Sequence, residues 1–297
     1  MTNHLEGFQE YLISQKALSN NTIQFYLKDL QHYIQYLWEY SIDQPEQATP
    51  QVIRDYIVYL EKKGRSASTV TRNIASIRCY YQYLCQKEGC SYNPAQEIKR
   101  EKIERKLPNI LTSEELDLLL SQPRISEAKG CRDRAMMELL YATGIRVSEL
   151  TALNIGDLNF QEKVLLCRGG KNDRKIPVYP TAIEAVSDYL LRFRGNPREA
   201  EGQALFVNLN GQRISRQGFW KIIKSYAAQA NITKEITPHT LRHSFALHLL
   251  ENGAQLRDIQ IMMGHADISS TQLYVQILDH FYQESYRYYH PKAQKDL

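Results

Sequence analysis

Apolar residues recur at three-to-four-residue spacing through nearly the whole chain, and the period switches to two only between Leu158 and Val178. A 3.6-residue period buries one stripe of a helix, whereas a period of two buries one face of a strand. The pattern therefore restricts the fold to a mainly α class with one small antiparallel β-sheet. The first helical stripes run through Tyr26, Leu30, Tyr33, Ile34 and Leu37, and through Ile74, Ile77, Tyr81 and Leu84. Ser19-Asn20-Asn21-Thr22 and Ser66-Ala67-Ser68-Thr69 supply N-caps just ahead of them. About four short helices are expected from Leu5 to Ile98. The alternating segments are 158–160, 164–168 and 175–178, with Gly169-Gly170-Lys171-Asn172-Asp173 as the turn of the last hairpin.

A chain of 297 residues exceeds one typical domain, so two cores are expected. Between Asn93-Pro94 and Leu107-Pro108 the charges thicken and apolar periodicity fades, which is the composition of an exposed linker. The expected division is an N-terminal helical domain at 1–100, a linker at 101–108, and a C-terminal domain at 109–297. In the latter, Thr112 or Ser113 caps a helix whose first turn carries Glu114 and Glu115. Hydrophobic content of 43% with 24% charged residues describes an ordinary globular protein, and no apolar run is long enough to span a bilayer. Met1-Thr2-Asn3-His4-Leu5-Glu6 lacks the basic and apolar regions of a secretory signal. Five scattered cysteines, never spaced Cys-x-x-Cys, argue against a disulfide framework or thiolate metal site and fit a reducing cytoplasm. A net charge of +4 permits a polyanionic partner without requiring one.

The chemistry-bearing residues cluster late in the chain. In Thr237-Pro238-His239-Thr240-Leu241-Arg242-His243, threonine suits the N-cap and proline the first helical position. His239 and Arg242 then share one face of the first turns, beside amides and a dipole end that favour an anion. This is a phosphate site with an acid-base group attached. His243 and His248 point round the helix and are expected to be structural. His239 and His243 could also chelate zinc, but the glutamate of the protease motif is absent and Arg242 would set a permanent charge beside the ion. Downstream, residues 256–263 form a short amphipathic helix ended by Gly264; His265 follows, and Ser269 or Ser270 caps a helix bearing Tyr274. Helix, turn and helix also describe a DNA-reading repressor module, and Tyr274 is one of 20 tyrosines. Upstream, Arg146 follows Gly144-Ile145, with Glu149 three residues on to hold its guanidinium. Lys171 in the hairpin turn can reach a groove as a mobile proton donor. Each feature alone is weak; the order Arg, Lys, His-x-x-Arg, Gly-His, Tyr is far more specific.

The blocks Thr143-Gly144-Ile145-Arg146-Val147-Ser148-Glu149-Leu150, His239-Thr240-Leu241-Arg242-His243-Ser244-Phe245-Ala246 and Met263-Gly264-His265 through Thr271-Gln272-Leu273-Tyr274 resemble the signature boxes of the tyrosine recombinase (phage integrase) family, and within it the bacterial Xer branch. Leu18-Ser19-Asn20-Asn21-Thr22-Ile23 and Tyr26-Leu27-Lys28-Asp29-Leu30 are similar to that family's core-binding, SAM-like domain, and Tyr289-His290-Pro291-Lys292-Ala293 to its ending. The resemblance implies that Tyr274 attacks a scissile phosphate to leave a 3′-phosphotyrosyl link, so that religation needs no cofactor. It further implies that Arg146 and Arg242 hold the non-bridging oxygens and that His239 accepts the phenolic proton, the phenol having an ordinary pKa of about 10. By the same resemblance Lys171 protonates the departing 5′-oxygen, His265 supports the phosphate or the tyrosine, and Glu149 stands behind them. The family's hairpin commonly reads Gly-Lys-Gly-Asn-Lys-Glu-Arg, so the register of Gly169-Gly170-Lys171-Asn172-Asp173-Arg174 leaves Lys175 and Arg168 as rivals to Lys171.

The resemblance also implies partners. Two domains would close on duplex DNA, with Lys28, Arg72, Arg78, Arg216 and Lys221 as candidate phosphate contacts, though solvated roles suit each equally. Four protomers would exchange strands through a Holliday junction, docking tails rich in aromatics (Phe281, Tyr282, Tyr286, Tyr288, Tyr289), with a division-machinery protein as a possible activator and no membrane partner. The expected activity is site-specific DNA recombination, in the service of chromosome-dimer resolution. The alternatives are integration of a mobile element and a non-cleaving DNA-binding regulator.

Overall fold

The computed structural model describes residues 2–98, 108–168, 173–195, 202–264, 274–275 and 277–278. Its chain divides into two compact units, Met1–Lys106 and Leu107–Leu297. The expected linker falls almost wholly outside the described residues.

The first unit is built from α1 (Thr2–Ser14), α2 (Asn20–Glu39), α3 (Pro50–Lys62) and α4 (Ala67–Lys87). Two of these are longer than expected, because the stripes through Leu30 and Ile77 continue unbroken for five turns or more. Ser19 and Ser66 cap α2 and α4, and Thr49 with Pro50 opens α3. The core is rich in tyrosine: Tyr33, Tyr56, Tyr80 and Tyr81 are fully buried. Three of their hydroxyls have partners: Tyr33 and Tyr81 share a 3.0 Å bond, Tyr81 donates to the Pro45 carbonyl at 2.8 Å, and Tyr56 donates to Asn73 Oδ1 at 3.4 Å. Buried Asp29 on α2 accepts from Arg72, Asn73 and Ser76 on α4, pinning the two helices together.

The second unit surrounds α6 (Ala128–Thr143), which packs on α8 (Pro180–Arg192), α10 (Pro238–Glu251) and β3 (Arg174–Pro177). A helix covered on all sides carries no single apolar stripe, and α6 buries residues around its whole circumference. It is preceded by α5 (Ser113–Ser121), where Thr112 and Glu115 form a reciprocal capping box, and followed by α7 (Val147–Ala152). The sheet has the order β1-β2-β3, all antiparallel, with β1 (Leu158–Asn159) and β2 (Val164–Cys167). Leu165 faces Ile176 and Cys167 faces Arg174, so these four share the inner face while Lys175 turns outward. The remaining helices are α9 (Arg216–Gln229) and α11 (Leu256–Met263). The mainly helical class with a small antiparallel sheet is thus the observed one.

Two left-handed glycines end helices that matter below. Gly144 closes α6 at φ +57°, and a Cβ there would lie 2.2 Å from the Phe245 ring. Gly264 closes α11 at φ +63°, and a Cβ there would lie 2.9 Å from the Arg174 guanidinium. Only glycine meets both demands of conformation and space.

Candidate active site

Two arginine side chains, Arg242 and Arg146, meet at the carbonyl ends of α6 and α11. Arg242, on the second turn of α10, is 5% exposed and donates Nη1 to the Gly144 carbonyl and Nη2 to the Met263 carbonyl at 2.7 Å. Arg146, at the start of α7, donates Nη2 to the Gly264 carbonyl at 2.9 Å. Helix C-termini attract cations because their last carbonyls lack partners within the helix and carry the negative end of the dipole. Burial first, and then the neighbouring Arg146, draw the Arg242 pKa down to about 10. Arg242 is therefore still charged at neutral pH, in a place where an arriving anion would relieve the repulsion between the two guanidiniums.

Thr237 caps α10 and Pro238 opens it, as expected, which sets His239 in the first turn. Burial, with Arg242 and Arg146 nearby, holds the His239 pKa below the ordinary histidine value, so its imidazole is neutral and able to accept a proton at pH 7. One turn on, the His243 ring lies 6.4 Å from that of His239 and 5.7 Å from Tyr274. Its Nδ1 is 2.9 Å from the Tyr274 hydroxyl. His243 was expected to be merely structural, whereas it is the direct partner of the tyrosine. The signal lay in its four-residue offset from His239, which places both on one helical face. Burial, then His239 and Arg242, drive the His243 pKa down to about 4. Tyr274 itself is 1% exposed, and burial pushes its phenol up to about 12 against the lowering influence of Arg242. His248 does have a structural role: it joins the Leu111 carbonyl through Nε2 and the Tyr141 hydroxyl through Nδ1, each at 2.9 Å.

Glu149 does more than hold Arg146. Its carboxylate accepts from the Arg146 backbone amide at 2.7 Å and from Arg146 Nη1 at 3.3 Å, yet its two-pronged partner is Arg174, at 3.0 and 2.9 Å. Burial pushes Glu149 up, but the bonds from Arg174 and Arg146 outweigh it and keep the carboxyl below its usual range. Lys171 and His265 lie outside the described residues, as do the tail aromatics from Phe281 to Tyr289. Of the rivals to Lys171, Arg168 pairs with Asp157 at 2.9 Å and Lys175 sits on the outer face of β3.

The candidate phosphate contacts fare differently. Lys28 is exposed on α2 and lines a polar cleft of about 360 Å³ with His32, Lys63, Arg65 and Arg72. Arg72 is held two-pronged by Asp29 at 2.8 Å and lies over the exposed Phe25 ring. Arg78 is turned to backbone, donating to the Ala95 and Ile98 carbonyls at 3.2 and 2.6 Å. Arg216 and Lys221 are exposed on the first turns of α9.

Comparison with known proteins settles the family. The phage integrase family model matches residues 109–280, and the phage integrase N-terminal SAM-like domain matches residues 5–88. The chain belongs to the phage integrase family of tyrosine recombinases. It is 41% identical over 296 residues to a tyrosine recombinase XerD of Halalkalibacterium halodurans, covering 99% of each chain. A crystal structure of XerA recombinase is 28% identical and superposes with a TM-score of 0.54 over 98% of this chain and 99% of that one. The fold is shared with XerH site-specific recombinase in a post-cleavage complex with a palindromic difH substrate, at 20% identity and TM-score 0.74 over 96% of this chain and 95% of that one. No described helix is long and apolar enough to cross a membrane.

Proposed function

We propose that this tyrosine-type site-specific recombinase cuts and rejoins duplex DNA through a 3′-phosphotyrosyl intermediate on Tyr274. The observation that carries the reading is the gathering of Arg146 and Arg242 at the ends of α6 and α11, with a neutral His239 beside them and the buried Tyr274 hydroxyl bonded to His243 one turn along α10. In the reaction, the Tyr274 oxygen bonds to phosphorus as the 5′-oxygen departs. His239 takes the phenolic proton, Lys171 supplies one to the 5′-oxygen, and His265 supports the phosphate. A phenol held near pKa 12 is almost wholly protonated at pH 7, so a base that takes its proton speeds the attack. The two guanidiniums stabilise the charge that builds on the non-bridging oxygens, and each planar fork can engage two of them.

The cleft bearing Lys28 and the exposed face of α9 bearing Arg216 and Lys221 supply phosphate contacts from the two units. The work takes place in the cytoplasm, on a chromosomal site, in an assembly of four protomers, and serves chromosome-dimer resolution under an activator from the division machinery. The likeness to a tyrosine recombinase XerD over nearly its whole length supports the site-specific recombination on which that role is built. Mapping of bound sites across the host chromosome checks it, with a single site near the replication terminus expected.

A nicked suicide duplex, built on a site selected by the chain from a random-duplex pool, tests the chemistry. The expected result is a covalent protein-DNA adduct that disappears in Tyr274→Phe. An adduct that persists in that variant overturns the assignment.

A further inference from the structure

The carbonyls of three consecutive residues at the end of α11 each accept from a different arginine. Arg174 Nε bonds Met262 at 2.8 Å, Arg242 Nη2 bonds Met263 at 2.7 Å, and Arg146 Nη2 bonds Gly264 at 2.9 Å. Arg242 and Arg146 belong to the proposed phosphate site. Arg174 does not: its side chain is only 9% exposed, and its fork is committed to both oxygens of Glu149. Its charge is matched there by the Glu149 carboxylate.

The geometry points to Arg174 as a positioning residue that keeps the Arg146 guanidinium available to the scissile phosphate, a role that rests on the recombinase reading above. Arg174 reaches the site from the first residue of β3, where it pairs across the sheet with Cys167. From there it ties three elements together: the sheet, α7 through Glu149, and α11 through the Met262 carbonyl. Its guanidinium also packs against Gly264, where even a methyl group would come within 2.9 Å.

The electrostatic consequence concerns Glu149. That carboxylate is shared between Arg174 and Arg146, with the shorter side-chain bonds on the Arg174 side. Charge-assisted, two-pronged pairs are the strong ones, so Arg174 satisfies most of the carboxylate and leaves only a 3.3 Å contact to Arg146. Without Arg174, a buried carboxylate would face Arg146 alone and draw its fork toward α7, away from an anion at the helix ends. Lysine at 174 would keep the charge, but a single ammonium lacks the fork that reaches Glu149 and the Met262 carbonyl together.

The test compares wild type, Arg174→Ala, Arg174→Lys and the double variant Arg174→Ala/Glu149→Gln on the nicked duplex, with single-turnover cleavage, affinity for the intact duplex and thermal transition read on each. Arg174→Ala is expected to cleave about 100-fold more slowly, the scale of loss from a displaced catalytic group, with unchanged duplex affinity. Arg174→Lys is expected to lose on the order of tenfold, because charge without the fork restores only part of the geometry. The double variant is expected to cleave faster than Arg174→Ala: glutamine still caps the Arg146 amide but no longer attracts its side chain. A purely structural role for Arg174 would not produce that recovery. Wild-type rates in folded Arg174→Ala or Arg174→Lys, or a double variant no faster than Arg174→Ala, overturn the proposal. Absence of any adduct with wild type overturns instead the reading on which it rests.

Discussion

A histidine that touches the nucleophile and stays neutral makes the second unit sensitive to acid. His243 titrates near its ordinary value of 6.5 in the unfolded chain and near 4 when folded, because burial first, and then the neighbouring His239 and Arg242, oppose its protonation. The unfolded state therefore binds a proton first as pH falls. Stability from this group is fully present above pH 6.5, declines between 6.5 and 4, and changes no further below. The loss integrates to about 3 kcal/mol. Denaturant unfolding at pH 7, 5.5 and 4 should show that decline, and His243→Phe should flatten much of it; an equally steep decline in the variant would show that other groups carry it. The same side chain marks a limit of reading residues singly. His239 was legible from Thr237-Pro238, a local capping signal, but the partner of His243 is Tyr274, 31 residues away. Sequence spacing puts His243 on the right face without saying what meets it.

Element ends were the most legible part of the chain, because capping depends on a few adjacent residues. Ser19, Ser66, Thr112, Thr237 and Gly264 all sit where their side chains, or the lack of one, satisfy helix termini. What was not legible is which distant side chains those termini receive. Glu149 was read as the partner of Arg146 from a three-residue offset, while its stronger partner, Arg174, arrives from a strand 25 residues on. Gly264 shows both levels at once: it was legible as a helix stop, but the Arg174 packing behind it was not. Gly264→Ala should destabilise the second unit by about 1–2 kcal/mol from left-handed backbone strain alone. The added methyl, 2.9 Å from Arg174, should raise that cost further. In an Arg174→Ala background the steric part vanishes, so the two substitutions should be non-additive by at least about 0.5 kcal/mol in a denaturation cycle. Strict additivity would mean that the methyl and the guanidinium do not meet.

Across the whole molecule, each unit closes its own core, and the proposed DNA contacts are distributed over both. The net charge of +4 is too small for a general polyanion field to account for tight binding, so affinity has to come from particular cations at particular phosphates. The five candidates separate on geometry. Lys28 on the first unit and Arg216 and Lys221 on the second are exposed, whereas Arg72 is paired with Asp29 and Arg78 is turned into its own unit, donating to the Ala95 and Ile98 carbonyls. Each phosphate contact releases counterions on binding, so alanine at Lys28, Arg216 or Lys221 should reduce the slope of log affinity against log salt by about one. Combining Lys28→Ala with Lys221→Ala should reduce it by about two, because the cations belong to different units and act at different phosphates. Arg78→Ala should leave the slope intact and instead lower the thermal transition, since two backbone carbonyls lose their donor. Fluorescence anisotropy on the selected duplex from low to high salt separates the cases. If the slope changes only with substitutions in the second unit, DNA is held by the catalytic unit alone; if Arg78→Ala changes it, that arginine leaves its carbonyls when DNA arrives.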